Sequence, residues 1–131
     1  MKPHIEVAAA IIMRRGKLLI SQRDAKSHLS GYWEFPGGKR EAGESFEECL
    51  LREVREELNV KVKIQKLLDT ICFEYPEKQV TLKFFRCSYL EGQPKALGCL
   101  KFLWVSPARL SRYRFPPADR PIVTRIINGA F

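Results

Sequence analysis

EFPGGKREAGESFEECLLREVREEL, residues 34–58, holds eight glutamates and no aspartate, inside a chain of 131 residues with a formal charge of +8. Its second half reads as the clearest helix of the chain. Ser45 with Glu48 makes an S-x-x-E capping box, and Leu50, Leu51, Val54 and Leu58 follow as one apolar stripe. Each helical residue turns roughly 100°, so Glu53, Glu56 and Glu57 project within about a 100° arc beside that stripe. The same wheel puts Arg52 and Arg55 on the far side of the acids. Like charges on one helix face repel by a few tenths of a kcal/mol per pair, so something should compensate. A hard divalent cation is one solution, since Mg2+ takes a few carboxylates and leaves positions for substrate phosphates. A solvated acidic face, with Glu56 paired to Arg52, is the other. The loop ahead of the helix favours the cation. Gly37 and Gly38 allow tight backbone geometry with bare carbonyls, and Gly43 gives a second turn before the helix.

Outward from this segment the chain alternates strands and helices. Ile5–Met13 is apolar and β-branched enough for a buried strand, and Lys17–Gln22 follows a Gly16 turn as its hairpin partner. Arg23–Tyr32 is a loop. Trp33–Phe35 is a short aromatic strand that Pro36, Gly37 and Gly38 stop. Val60–Phe73 forms one or two strands, Pro76–Lys78 a turn, Val80–Leu90 and Cys99–Val105 two more strands. A second helix is predicted from near Pro117 to Gly129. This order suggests a mixed sheet between helices and one domain over residues 1–131.

Composition bounds the setting. Apolar residues make up 45% and charged residues 29%, the mix of a soluble globular chain. No apolar run approaches the roughly 20 residues of a membrane span, and MKPHIEVAAAIIMRRGK reads as a strand rather than a signal peptide. Cys49, Cys72, Cys87 and Cys99 lie in no metal-ligand spacing and read as small reduced core residues of a cytoplasmic protein. The excess of cations should attract anions, nucleotides among them.

From Gly38 to Val60 the sequence runs G-x5-E-x7-R-E-V-x-E-E-x-N-V. It resembles the Nudix box, G-x5-E-x7-R-E-U-x-E-E-x-G-U with U apolar. Asn59 stands where the family usually has Gly, and Asn tolerates the left-handed conformation of a helix C-cap. Trp33–Lys39 (WEFPGGK) and Phe115–Asp119 (FPPAD) are similar to segments of MutT-type members, so the resemblance covers nearly the whole chain. It implies an α/β/α sandwich with a mixed β-sheet between helices. It also implies Mg2+-dependent attack of water on a nucleoside triphosphate, giving monophosphate and pyrophosphate, with Mn2+ able to replace Mg2+.

By match to the motif, the Gly38 carbonyl, Glu53 and Glu57 hold metal, and Glu56 is a ligand or the base. Arg52 orients a box carboxylate, and Glu44 supports the ligands from the helix start. Arg23 and Lys39 are candidates for phosphate contacts, Phe35 and Tyr75 for stacking on the base, and Asp119 for reading it, the last competing with a helix-capping role. MutT-type enzymes often carry one more glutamate in the loop before the last strand. Here that place falls near Gly98, and Gly92–Val105 contains no acid. The expected substrate is 8-oxo-dGTP, which makes the protein a nucleotide-pool sanitising hydrolase in DNA replication and repair. A (deoxy)cytidine triphosphate pyrophosphohydrolase, an RNA 5′ pyrophosphohydrolase and a non-catalytic binding module are the alternatives. A monomer is expected, with no membrane and no stable nucleic-acid complex, because no long basic stripe is visible.

Overall fold

A computed structural model describes residues 2–24 and 29–130. Part of the loop read between Arg23 and Tyr32 therefore lies outside the described residues. Strand β1 (His4–Arg14) runs through the middle of a seven-stranded sheet. Arg15 and Gly16, both at positive φ, turn it into β2 (Lys17–Gln22) as a tight hairpin. β3 (Trp33–Glu34) pairs with β2, and β4 (Gly37–Lys39) pairs antiparallel with β1. Helix α1 (Phe46–Leu58) crosses to β5 (Lys61–Glu74), the edge strand. β6 (Gln79–Glu91) returns antiparallel to β5 and lies parallel to β1 along ten paired residues. β7 (Lys101–Val105) pairs with β2, and a 3-10 helix (Pro107–Arg112), a 3-10 turn (Pro117–Asp119) and helix α2 (Arg120–Ile127) close the chain.

The two faces of the sheet follow from strand alternation. On β1, Ala9 and Ile11 face one core with Phe84, Leu110, Ile122 and Ile126, beneath α2. Ala8, Ala10 and Ile12 face the other with Leu50, Val54, Leu58 and Phe85, beneath α1. A central strand covered on both faces reads as a continuous apolar run, as residues 7–13 do. The result is the α/β/α sandwich with a mixed sheet.

Several readings of the sequence are corrected. Gly37–Gly38 does not stop the chain but forms β4 against Val7–Ala9. The pairing uses backbone alone, which a pattern of side chains cannot reveal, and a Cβ on Gly37 would collide with the Ala8 carbonyl. In α1 the buried stripe is Cys49, Leu50, Val54 and Leu58, while Leu51 is 39% exposed. Among the cysteines, Cys49 and Cys87 are core residues, but Cys72 is exposed on the edge strand and Cys99 is half-buried. The last helix is split, its first turn being 3-10. Among the described residues no helix is long and apolar enough to cross a membrane.

Candidate active site

Helix α1 is fixed at both ends by its own sequence. Ser45 Oγ accepts from Glu48 N at 3.0 Å, and Glu48 Oε1 accepts from Ser45 N at 2.8 Å, the complete capping box. At the other end Asn59 sits at φ 59° and donates its backbone N–H to Arg55. Its side-chain amide also donates to Gln93 O at 3.1 Å, which ties the helix end to the loop after β6. That loop then donates from Lys95, Leu97 and Gly98 to the last carbonyls of the helix. A Cβ at Gly98 would lie 3.3 Å from Glu57 Cα, so an acid at the place where the resemblance expects one would be crowded by the end of the helix.

Held this way, α1 aims Glu53 and Glu57 into a cleft of about 680 Å3 at the end of the sheet that carries residues 5–9 of β1. Gly38, Lys39, Arg23, Phe35, Tyr75 and Asp119 also line it, so eight of the residues singled out from sequence converge. Arg52, Glu44 and Glu56 are not on the cleft wall. Arg52 sits among the acids, and its pairing with Glu56 is the i,i+4 contact read from the sequence. It donates to both oxygens of Glu44 at 2.6 and 3.1 Å, to Glu53 Oε1 at 2.9 Å, to Glu56 Oε1 at 3.0 Å and to the Lys39 carbonyl at 3.1 Å. The fork of charge-assisted bonds from Arg52, helped by the Glu41 N–H, holds the Glu44 carboxyl down to about 2. Glu56, 56% exposed, is a rim residue paired to Arg52.

The cleft carboxyls behave in the opposite way. Burial pushes Glu57 up to about 8, and the nearby Glu34 adds to the rise, against a hydrogen bond from Ser21 Oγ at 3.0 Å. Glu53 and Glu34 are also raised, in each case first by burial, although Arg52 and Arg23 oppose it. Asp119 is pushed up to about 8 by burial, with Glu34 adding and Arg23 opposing. Four carboxyls thus share one pocket, and burial raises the pKa of each. Among the described residues no three acidic, histidine or cysteine side chains are already drawn into a finished ligand cage. The donor set nevertheless fits a hard divalent cation. It combines two carboxylates one helical turn apart with a carbonyl at Gly38, whose bare Cα packs against the Glu53 carboxylate where a Cβ would overlap it.

Asp119 starts α2 but makes no side-chain cap hydrogen bond, so the capping role weighed for it is not the one it plays. Phe35 is 3% exposed and stacks on Phe115 at 5.1 Å, which makes it a wall more than a free platform. Tyr75 packs on Phe73 at 4.8 Å with the Lys78 ammonium over its ring. Arg23 pairs with Glu34 at 2.6 Å. Two cleft groups, Glu34 and Lys78, escaped the reading of the sequence, and so did the buried Ser21 that donates to Glu57. Period-two alternation could have found Glu34, since Trp33 and Phe35 both face the α2 core and place it on the other side. A lone hydroxyl inside the apolar strand LLISQ was the signal for Ser21, which is fully buried and registers with Glu34.

Known proteins are similar to this chain in sequence and fold. A NUDIX domain model matches residues 7–125. The chain is 44% identical over 85 residues to the 8-oxo-dGTP diphosphatase of Proteus vulgaris, covering 64% of this chain and 76% of that one. It is 37% identical over 119 residues to the CTP pyrophosphohydrolase of Escherichia coli (strain K12), covering 91% and 88%. It superposes on the crystal structure of the MutT protein from Methanosarcina mazei Go1 with a TM-score of 0.87 at 28% identity, covering 98% and 96%.

Proposed function

Because the chain belongs to the NUDIX domain family, we propose that it hydrolyses a nucleoside triphosphate to the monophosphate and pyrophosphate, with 8-oxo-dGTP as its preferred substrate. The observation that carries this reading is the cluster of carboxyls raised by burial, Glu34, Glu53 and Glu57, in a cleft whose rim carries Lys39 and Lys78. Enzymes of this family depend on a divalent cation, and Mg2+ is the ion we assign. Glu53, Glu57 and the Gly38 carbonyl would hold it. The bound ion neutralises phosphate charge and lowers the pKa of the attacking water.

The chain's own groups do the rest. Arg52 takes Glu53 Oε1, so Oε2 is the oxygen turned to Gly38. Ser21 takes Glu57 Oε1 and leaves Oε2 to the cleft. Glu44 keeps the Arg52 fork in place. Lys39 and Lys78 draw in the phosphates, and Arg23 stands at the inner wall beside Glu34. The buried Asp119 carboxyl, pushed up to about 8, would in its protonated form present one donor and one acceptor at the base end. That pair complements the O6 and N7–H edge that 8-oxoguanine has and guanine lacks.

The same donor–acceptor pair would suit N3 and N4–H2 of cytosine. The 37% identity to a CTP pyrophosphohydrolase therefore keeps a cytidine triphosphate as the second reading. The deciding measurement is kcat/KM with Mg2+ for 8-oxo-dGTP, dGTP, dCTP, CTP, 5-methyl-dCTP and triphosphorylated RNA. A large preference for 8-oxo-dGTP over dGTP supports the proposal. A preference for cytidine nucleotides moves the chain to the second reading, and turnover of none overturns the hydrolase assignment.

A further inference from the structure

The net charge of the chain is carried by its C-terminal part. Residues 61–131 hold 13 lysines and arginines against five acids, while residues 1–60 are balanced. Part of this excess gathers at a second concavity, about 530 Å3, between the Pro107–Arg112 helix and α2. Arg112, Arg114 and Arg120 line it, and no carboxylate does. All three are exposed, and among the described residues none forms an ion pair. The floor is apolar and aromatic, from Tyr113, Val123 and a partly exposed Ile127.

The chemistry continues past the groove along one edge. The Arg114 guanidinium lies 5.4 Å above the Tyr32 ring, and the Lys101 ammonium 5.7 Å above Trp33, which meets Tyr113 edge to face at 5.2 Å. Cations interleaved with aromatic rings around an acid-free groove suit unstacked bases with a phosphate backbone. None of this needs the catalytic cleft, which lies beyond Phe115 and begins at Pro116. The three arginines fall within residues 112–120, at a 3-10 helix end, in a connecting segment and in the first turn of α2.

We infer that this groove binds single-stranded nucleic acid, with Arg112, Arg114 and Arg120 on successive phosphates and Tyr113 and Tyr32 as platforms for bases. The test is fluorescence anisotropy of a short labelled single-stranded oligonucleotide, run with Mg2+ and with the cleft blocked by excess non-hydrolysable triphosphate analogue. Binding is expected to survive the analogue. It should weaken roughly 20-fold between about 50 and 200 mM salt, as three phosphate contacts on a single strand require. The Arg112→Glu/Arg114→Glu double variant should lose at least about tenfold in affinity while kcat/KM for the triphosphate stays unchanged. Should it fail to fold, Arg112→Gln/Arg114→Gln, checked by circular dichroism, should lower the salt slope by about 1.4. Displacement by the analogue would assign the strand to the catalytic cleft and overturn the inference. So would unaltered binding by the variants, or no binding at about 50 mM salt. Equal competition by pyrophosphate would reduce the groove to a small-anion site and likewise sink the nucleic-acid assignment.

Discussion

Lowering the pH should weaken divalent-cation binding steeply, and the size of the effect follows from Glu57. In the metal-free protein its carboxyl is pushed up to about 8 by burial and by Glu34. A cation must therefore displace a proton at any pH below that value. At pH 6.5 the carboxyl lies about 1.5 pH units on the protonated side. At ~1.36 kcal/mol per unit this costs about 2 kcal/mol, or roughly thirtyfold in affinity relative to alkaline pH. Glu53 is raised as well, first by burial. The assay is Mn2+ titration followed by electron paramagnetic resonance at about pH 6.5, 7.5 and 8.5, with Glu57→Gln as reference. Wild type should gain close to tenfold per pH unit up to about 8. The variant should bind weakly and with a flatter profile. An affinity constant within about threefold across that range would refute the reasoning, since Glu57 would then be ionised without metal or would not be a ligand.

Other outcomes follow from the same geometry. Glu57 and Asp119 have folded-state values near 8, above the ordinary carboxylate range, so they stabilise the fold fully only below the unfolded value and lose that contribution as pH rises through about 8. The metal-free melting temperature should thus fall from pH 6 to 9, with Asp119→Asn reducing the fall; a flat profile in thermal-shift measurements would contradict the burial argument. Glu53→Gln should abolish hydrolysis with the circular dichroism spectrum intact, and full activity would remove Glu53 from the metal site. Arg52→Gln and Glu44→Gln should each cost about 10- to 100-fold in kcat/KM, the usual loss when a ligand's outer partner goes. Ser21→Ala should weaken Mn2+ binding by about tenfold or more through loss of the hydrogen bond to Glu57, and Ser21→Thr should restore it.

Residues whose roles are local were legible in the sequence. The capping box at Ser45, the left-handed Asn59 and the spacing of Glu53 and Glu57 are set by neighbours within a turn or two, where backbone geometry fixes who meets whom. The apolar run at residues 7–13 likewise announced a strand covered on both faces, which with α1 and α2 gives the sandwich. Tertiary structure decided what depends on residues distant in sequence. Register between β2 and β3 brings Ser21 and Glu34 together, and the packing of α1 across the sheet sets both beside Glu57. Burial in that shared cleft moves Glu57 and Asp119 to about 8, a property of the low-dielectric surround that no spacing encodes. The Arg52–Glu56 pair was legible at i,i+4, whereas the reach of the guanidinium to Glu44 and the Lys39 carbonyl depends on how the preceding loop packs against the helix. Periodicity and motif spacing specify the frame and the acid-bearing helix. Only close packing, which sets distances and dielectric at once, decides which of those acids can hold a cation.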